Sequence, residues 1–440
     1  MPTASKKVIN GWAMYDWANS VYNLVITTTF FPIYFLAATK SAFGENNVPL
    51  LGRTFKNSAL MEYSTAFAYL LIAVLLPILS SIADTKGNKK NFMQFFCYLG
   101  GLSCVGLFWF RGQNIEWGLL CFILAAIGYI GSLVFYNSYL PEIAAPEDQD
   151  RVSAKGFSMG YIGSVILQII GFALVLYFNK QGDSTSGALF TFLLVGLWWM
   201  GFAQITFARL PRSQPSNQQH DMNFLTKGFI ELRKVYGQLS QTPILKRFLF
   251  AFFFYSMGVQ TVMLAASIFG AKLLNLSDTK LIITLVLVQL VAILGAIVMS
   301  RLSARLGNLR VLMLVVLFWI VICVAAYFIA NAAEQKINVE YYFYAVAVAV
   351  GLVMGGIQSL SRSTYSKLMP ETKDTASFFS FYDVTEKVAI VIGMFTFGYI
   401  DDLIGMKYSV LALIVFFVIG FIGLQLSLQK EKHHALAKAA

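Results

Sequence analysis

Two stretches of this chain decide its fold: Ser80–Lys90, SSIADTKGNKK, and Ser300–Arg310, SRLSARLGNLR. Each follows a long apolar run and ends in basic residues. The matching pairs are Ile82 with Leu302, Gly87 with Gly307, Asn88 with Asn308 and Lys90 with Arg310. Pro141-Glu142 is repeated in the same way by Pro370-Glu371. Corresponding motifs after corresponding apolar runs predict two parallel repeats within one chain.

The composition predicts an integral membrane protein. Hydrophobic residues make up 58% of the chain and charged residues 12%, which is too little charge to cover the surface of a soluble protein. Apolar runs of this length must cross the bilayer as helices. The first repeat contains predicted spans at 12–36, 60–82, 92–110, 117–140, 154–178 and 188–208. The second contains spans at 248–271, 281–302, 311–330, 341–365, 376–400 and 408–428. We therefore predict an all-α fold with two pseudo-symmetric six-helix bundles.

The net charge of +11 arises from Lys and Arg in the connections between spans. These residues are concentrated in alternate connections, as the positive-inside rule requires. The pattern predicts that both termini are cytoplasmic, in a bacterial-type inner or plasma membrane. It also explains the basic balance without a nucleic-acid partner.

The cysteines and histidines do not indicate a catalytic or metal site. All four cysteines lie inside apolar runs, and none of the three histidines lies in a span. A membrane enzyme would need a convergent set such as Ser/His or a metal cluster, so we predict neither an enzyme nor a cofactor. No nucleotide-binding motif occurs, which argues against ATP as an energy source.

The longest connection separates six spans from six. We predict an N-terminal bundle at 1–210, a cytoplasmic linker at 211–246, and a C-terminal bundle with a short tail at 247–440. Apolar residues recur at helical spacing in the linker at Leu225, Phe229, Leu232, Tyr236 and Leu239. This helix either lies on the anionic leaflet or is an ordinary linker helix.

The eleventh span carries charge deep in the membrane. Glu386 and Lys387 are expected near the midplane, and Asp383 shares a helix face with Lys387. We expect Glu386 to point partly away from Lys387. Arg362 is expected near Asp383, with Gln358 one turn from it. This cluster either binds a charged solute and a proton or is a structural salt-bridge network.

A polar stripe runs along the first span, where Asp16, Asn19 or Ser20, Asn23 and Thr27 recur at helical spacing. Asp16 either takes part in solute binding or only pairs at the interface. Gln260 in the seventh span has the same two interpretations. Together with the eleventh-span cluster, these residues are the candidate substrate-binding and coupling residues.

Small residues in the fifth span predict a close helix contact. Gly156, Gly160 and Gly163 recur at spacings that let backbones approach. We interpret them as a sliding contact between the two halves, which conformational gating would require.

The Ser80 stretch resembles the signature of the major facilitator superfamily between helices two and three. Asp84, Gly87, Lys89 and Lys90 match the pattern, whereas Ser80 replaces a glycine and Asn88 an arginine. In the second repeat, Ala304 stands at the position of the acid. The resemblance implies a gating role for these residues, with Asp84 held at the N-terminus of the eleventh helix. It also implies that the first and seventh helices line the cavity.

Five further stretches resemble one branch, the vacuole-effluxer-like or unknown major facilitator family. They are WAMYDWANSVYN at Trp12, SAKGFSMGYIGS at Ser153, GVQT at Gly258, GGIQSLSRSTY at Gly355 and FFSFYDVTEKVA at Phe378. Fungal members are associated with amino-acid efflux from the vacuole during autophagy. The resemblance implies a secondary transporter of a small polar or zwitterionic solute, with an amino acid or short peptide favoured. The buried acids suggest protons as the coupling ion, and the presence of both halves in one chain predicts a functional monomer. An uncoupled facilitator, an exporter of amphiphilic, drug-like or lipid-like molecules, and a non-transporting sensor or scaffold are the alternatives.

Overall fold

A computed structural model describes residues 2–44, 47–212, 230, 233–238, 241–272 and 278–439. Twelve long helices follow one another in this part of the chain. They are α1 Lys6–Phe43, α2 Asn57–Lys86, α3 Lys89–Gly106, α4 Ile115–Ser138, α5 Gln149–Lys180, α6 Ser186–Arg209, α7 Pro243–Lys272, α8 Asp278–Leu306, α9 Asn308–Glu334, α10 Glu340–Leu368, α11 Thr375–Ile404 and α12 Met406–Ala439. The predicted twelve-helix fold is confirmed.

Helix α11 differs from the other eleven in its charge. Within the described residues, eleven helices are long and apolar enough to cross a membrane by length and composition alone. In α11, Asp383, Glu386 and Lys387 interrupt the apolar sequence. A helix that keeps such residues in a membrane bundle needs partners for them.

The middle of α1 is a π-helix, which the sequence analysis did not predict. It spans Tyr22–Phe30 between two α-helical segments. The next segment begins at Phe31 and contains Pro32, which has no N–H to continue the α-helical ladder. The hydroxyl groups of Thr28 and Thr29 both donate to the carbonyl oxygen of Leu24, at 2.8 and 2.9 Å. The α-helical spacing assumed for the polar stripe therefore holds only up to Val21.

A small hairpin between α1 and α2 is the one element of a different class in the described residues. Strands β1 Asn47–Leu50 and β2 Arg53–Lys56 pair antiparallel. The two residues that join them, Leu51 and Gly52, have φ of 50° and 75°. Such left-handed pairs match the twist of two-residue hairpins. This hairpin was not predicted, and it leaves the all-α fold class unchanged because it lies in a connection between two helices.

The two repeated motifs form turns with the same central residue. Gly87 ends α2 with φ of 63°, and Gly307 lies between α8 and α9 with φ of 86°. Glycine adopts positive φ without the steric cost that a Cβ would bring. The sequence repeat therefore reflects the same need for a left-handed residue between two helices.

The chain folds into two compact units. The N-terminal unit consists of Ala4–Tyr139 and Met159–Gly228, and the C-terminal unit of Met1–Thr3, Leu140–Ser158 and Phe229–Ala440. The first ten residues of α5 thus belong to the C-terminal unit. Of the predicted linker helix, Leu225, Phe229, Leu232 and Leu239 lie outside the described residues, whereas 233–238 are helical.

Candidate functional site

The charged pair of α11 lies inside the C-terminal unit. The Lys387 Nζ donates to Oε2 of Glu386 at 2.6 Å, and the Gln260 Nε2 of α7 donates to Oε1 of the same carboxylate at 3.0 Å. The Glu386 and Lys387 side chains are 14% and 9% exposed. The expectation that Glu386 points away from Lys387 was wrong, because both side chains are long enough to bend toward each other. Gln260 and Glu386 meet through helix packing.

The pair lies well inside α11 and not at either end of the helix. Glu386 follows the first residue of the helix, Thr375, by eleven positions. At a rise of 1.5 Å per residue the pair lies about 17 Å along the helix axis from Thr375, and its predicted position near the bilayer midplane stays a prediction.

Aromatic residues fix the helices that carry the pair. The Tyr382 ring of α11 stacks on Phe252 of α7 with centroids 4.3 Å apart and lies 4.8 Å from the Tyr365 ring of α10. The Tyr255 hydroxyl group lies 2.7 Å from Ser361 Oγ. The pair therefore lies where α7, α10 and α11 pack against one another.

Arg362 is buried and binds the first turns of α5. Its Nε donates to Ser153 Oγ, and its Nη2 donates to the Ser153 carbonyl oxygen, both at 2.9 Å. Its guanidinium group lies 4.2 Å from the centroid of the Phe157 ring. The contact with Ser153 was not predicted, although the sequence analysis singled out this stretch. The predicted pair of Arg362 with Asp383 stays a prediction.

Asp383 and Gln358 are the two other candidate site residues of the C-terminal unit. Asp383 is 3% exposed, one helical turn before Glu386. The Gln358 Nε2 of α10 lies 3.6 Å from the Met263 Sδ of α7. Gln358 thus faces the helix that carries Gln260.

A polar cluster around Asp150 connects α5 to α8, α9 and α10. Its carboxylate accepts hydrogen bonds from Ser303 at 2.8 Å and from Asn308 and Lys367 at 2.7 Å each. Asn308 also donates to Thr364 at 3.0 Å. Asp150 was not predicted as a site residue, although an acidic first turn of a helix is a recognisable signal. Asp150 belongs to the first repeat, but its carboxylate lies beside the motif of the second repeat, in which Ala304 stands at the position of the acid.

The segment before α5 makes two further contacts in the same unit. Glu142 accepts a hydrogen bond from Thr375, the first residue of α11, at 2.8 Å. Asp148 accepts one from Thr3 at 2.6 Å. The hydrogen bonds from Thr3 and then Arg151 lower the pKa of the Asp148 carboxyl group. An acid of the same unit, Glu142, therefore lies at the start of α11.

Asp16 in the N-terminal unit is buried against an aromatic residue of α4. The hydroxyl group of Tyr136 donates to its Oδ2 at 2.7 Å, and Asp16 is 4% exposed. Trp12 stacks on the Tyr136 ring at 4.4 Å and donates to its carbonyl oxygen. Tyr136 was not predicted as part of a site, because a lone tyrosine in an apolar run carries no signal.

The other candidates on α1 differ in exposure. Asn19 is fully buried, and neither end of its amide has a hydrogen-bond partner among the described residues. Asn23 in the π-helix is partly exposed. Tyr15 lies four residues before Asn19 and Tyr22 three residues after it, so both tyrosines share a face of α1 with Asn19.

The glycines of α5 pack against α1 inside the N-terminal unit. A Cβ on Gly160 would lie 3.1 Å from the Ser20 Cβ, and one on Gly163 would lie 2.8 Å from the Trp17 carbonyl oxygen. The predicted sliding contact between the halves stays a prediction for these two residues, whose neighbours Ser20 and Trp17 lie within the N-terminal unit. Gly156 is buried, and a part of the three glycines in gating stays a prediction.

The signature residues make local contacts. Asp84 and Lys89 form an ion pair at 3.2 Å and are 2% and 1% exposed. Lys90 donates to the carbonyl oxygen of Leu210 at 3.2 Å, which satisfies the C-terminal end of α6. Gly87 supplies the left-handed turn between Asp84 and Lys89. The predicted contact of Asp84 with α11 stays a prediction. Within the described residues no group of three or more His, Cys, Asp or Glu could hold a metal ion.

Residues 4–437 match the family described as "Vacuole effluxer Atg22 like". The chain belongs to this family. It is 31% identical to the uncharacterized MFS-type transporter YxiO of Bacillus subtilis (strain 168), over 94% of this chain and 93% of that protein. It is 26% identical to autophagy-related protein 22 of Kluyveromyces lactis, over 99% of this chain and 97% of that protein.

Two solved structures share the fold. A bacterial homologue of the iron transporter ferroportin, in an outward-facing state, superposes with a TM-score of 0.69, 13% identity, and coverage of 96% of this chain and 98% of that chain. The Escherichia coli fucose:proton symporter FucP, of the Major Facilitator Superfamily, superposes with a TM-score of 0.66 and 14% identity. The match covers 96% of this chain and 97% of that chain. This member of the Atg22-like family is therefore a multi-pass membrane protein with the twelve-helix fold of MFS transporters.

Proposed function

We propose that this transporter moves a small polar or zwitterionic solute, with an amino acid or short peptide favoured, and that Glu386 couples this movement to protons. The observation that carries the proposal is the Glu386–Lys387 pair, bridged to Gln260 and buried near the middle of α11. A buried charge in a membrane helix is costly unless it has a partner or a task. Family membership supports transport by alternating access.

The geometry of the pair suits a zwitterion. A solute with an ammonium and a carboxylate group can offer the first to Glu386 and the second to Lys387. Neither buried charge is then left without a counter-charge, so exchange of partners avoids the large cost of an isolated buried ion. A neutral or singly charged solute would leave one of the two charges uncompensated.

The same carboxylate suits proton coupling. Glu386 accepts hydrogen bonds from both Gln260 and Lys387, and protonation would abolish its attraction for the lysine. Lys387 would then be free to bind the carboxylate of a solute. Asp383, one turn earlier and 3% exposed, is the second candidate proton acceptor. A fold relative that is a proton symporter supports this coupling by analogy.

We also propose that the protein lies in the plasma membrane, with both termini in the cytoplasm. The Lys and Arg residues concentrated in alternate connections support it. One chain contains both repeats, which supports a functional monomer.

Purified protein in proteoliposomes provides the test. Amino acids and dipeptides are screened for uptake with and without an imposed pH gradient. We expect the pH gradient to drive uptake by the wild type. Glu386→Gln should abolish the response to the gradient, and Lys387→Gln should reduce uptake about tenfold or more. Each substitution removes a charge-assisted contact. Asp383→Asn shows whether the second acid shares the proton.

Glu334→Gln is the matched control, because it neutralises a glutamate paired with a lysine, Lys407, at a site where Glu334 is 47% exposed. It should transport as wild type. Uptake that responds to neither the gradient nor Glu386→Gln would indicate an uncoupled facilitator with a structural ion pair. Uptake of amphiphiles in place of amino acids would indicate the alternative function, an exporter of amphiphilic molecules.

A further inference from the structure

A large apolar cavity lies inside the C-terminal unit. The cavity volume is about 90 Å³, and the open space at its mouth brings the empty space to about 800 Å³. Six helices line it, and Phe397 of α11 and Val410 and Leu413 of α12 are among the lining residues. The other four helices contribute stretches of equal length: Val262 to Phe269 of α7, Leu281 to Val288 of α8, Ile322 to Ile329 of α9 and Phe343 to Val350 of α10. Each stretch extends about 10 Å along its helix. None of Gln260, Glu386 and Lys387 lines this cavity.

The lining offers almost nothing to water or to a polar ligand. Its side chains are hydrocarbon except for Thr284 and Cys323. The hydroxyl group of Thr284 donates to the carbonyl oxygen of Lys280 in its own helix at 2.8 Å, and a thiol is only a weak donor. A buried water molecule needs two to four polar partners. The cavity therefore favours an apolar occupant.

One end of the cavity has a polar rim. Lys280, next to the lining residue Leu281, pairs with Glu340 at 2.6 Å. Tyr344, next to the lining residue Phe343, donates to the same carboxylate at 2.9 Å. Lys280 and Glu340 are 43% and 26% exposed, which is typical of a membrane–water interface. The site is thus apolar along its length and polar at the level where headgroups lie.

We propose that this cavity binds the hydrocarbon chain of a membrane amphiphile, with its headgroup at the level of the Lys280–Glu340 pair. Where the cavity is empty, the lining side chains lack dispersion contacts on one side. A hydrocarbon chain restores them without requiring a polar partner, and the surrounding bilayer supplies such chains at high concentration. The occupant is a second ligand, separate from any transported solute, so this inference does not depend on the proposed substrate.

Photolabelling of the purified full chain tests the inference. One probe is palmitic acid with a diazirine near the end of the chain, and the other is a phosphatidylcholine that carries the same acyl chain. Labelled peptides are mapped by mass spectrometry. We expect labels on lining residues such as Ala326 and Ala347, in addition to the bilayer-facing Phe328, which is 63% exposed.

Ala347→Phe fills the cavity and should lower the lining label about fivefold or more relative to the Phe328 label. Ala345→Phe is the matched control, because Ala345 is an exposed alanine on the same helix and its replacement should leave the label unchanged. If Ala347→Phe does not elute as a folded protein, Ala326→Leu replaces it.

Lining labels from only one of the two probes would identify the source of the chain as free fatty acid or phospholipid, and either result supports the cavity as the site. Labels confined to bilayer-facing residues in the wild type would overturn the proposal. That result needs no variant. It would also leave the uptake experiment on Glu386 unaffected.

Discussion

Glu386 and Lys387 are consecutive residues of α11, yet the Lys387 Nζ lies 2.6 Å from the Glu386 Oε2. Consecutive helical residues leave the axis about 100° apart, and the favourable ion pairs of isolated helices are three or four residues apart. Both side chains therefore bend toward each other within a buried environment. The contact depends on the low exposure of the site, because an exposed pair of this geometry would gain little.

A double-mutant cycle measures the coupling of this pair. We expect Lys387→Met alone to lower the free energy of unfolding by about 3 kcal/mol or more, because it leaves the Glu386 carboxylate buried without its cation. Glu386→Gln combined with Lys387→Met should cost less than Lys387→Met alone. Thermal unfolding of the detergent-purified protein compares the variants.

The same cycle on Lys407 and Glu334 is the control, since these side chains are 17% and 47% exposed. Their coupling energy should be within about 1 kcal/mol of zero. A Glu386–Lys387 coupling as small as this one would contradict a buried ion pair.

The sequence was sufficient to place charged residues near the middle of the eleventh span, because helix rise and bilayer thickness are constant. It was not sufficient to find that Gln260 binds Glu386. The two residues are 126 positions apart, and their contact depends on how α7 packs against α11. Periodicity within one helix contains no information about that packing.

Asp150 is predicted to stabilise the C-terminal unit. Its side chain is 4% exposed, and its carboxylate accepts hydrogen bonds from Ser303, Asn308 and Lys367. Asp150→Asn keeps the shape but removes the charge, so we expect a loss of about 2 kcal/mol in the free energy of unfolding. Thermal unfolding provides the measurement. Asp402→Asn, at an exposed position, should change stability by less than about 0.5 kcal/mol.

The Asp150 cluster shows where a sequence repeat stops being informative. The second motif keeps its glycine and asparagine but has Ala304 where the first has Asp84. A comparison of the two motifs therefore predicts a missing acid. The acid near the second motif comes from a helix more than 150 positions earlier in the chain, Asp150. Only the tertiary structure brings them together.

Gly160 is predicted to be required for the close approach of α5 to α1. A Cβ at this position would lie 3.1 Å from the Ser20 Cβ and 3.2 Å from the Asp16 carbonyl oxygen. Gly160→Leu should therefore overpack this contact and lower the free energy of unfolding by about 1–3 kcal/mol. Gly201→Leu is the matched control on α6, where a Cβ would meet nothing within 4 Å. Equal melting temperatures for the two variants would contradict the packing account.

The first helix was predicted correctly as a span but not in its winding. The sequence contains the causes, since Thr28 and Thr29 can compete for backbone carbonyl groups and Pro32 interrupts the hydrogen-bond ladder. These residues also occur in regular helices, however, so they do not predict a π-helix of nine residues. Functional sites often contain such segments, which makes Asn23 worth including in any transport assay.

The contact between Thr3 and Asp148 is predicted to make stability depend on pH. The Thr3 hydroxyl group donates to Asp148 at 2.6 Å and lowers the pKa of that carboxyl group below its ordinary 3.8. A lowered pKa in the folded state stabilises the protein above pH 3.8, and this contribution is lost as the pH falls through the folded-state pKa. The side chain of Asp148 is 31% exposed, so we expect at most about 1 kcal/mol. Thr3→Val should lower the unfolding midpoint at pH 7, and its difference from wild type should shrink at pH 3.

Thr396→Val is the control, because the Thr396 hydroxyl group donates to a backbone carbonyl group, that of Ile392. The effect of this substitution should be the same at both pH values. A Thr3→Val effect that is equally independent of pH would show that the hydroxyl group does not act through the Asp148 carboxylate.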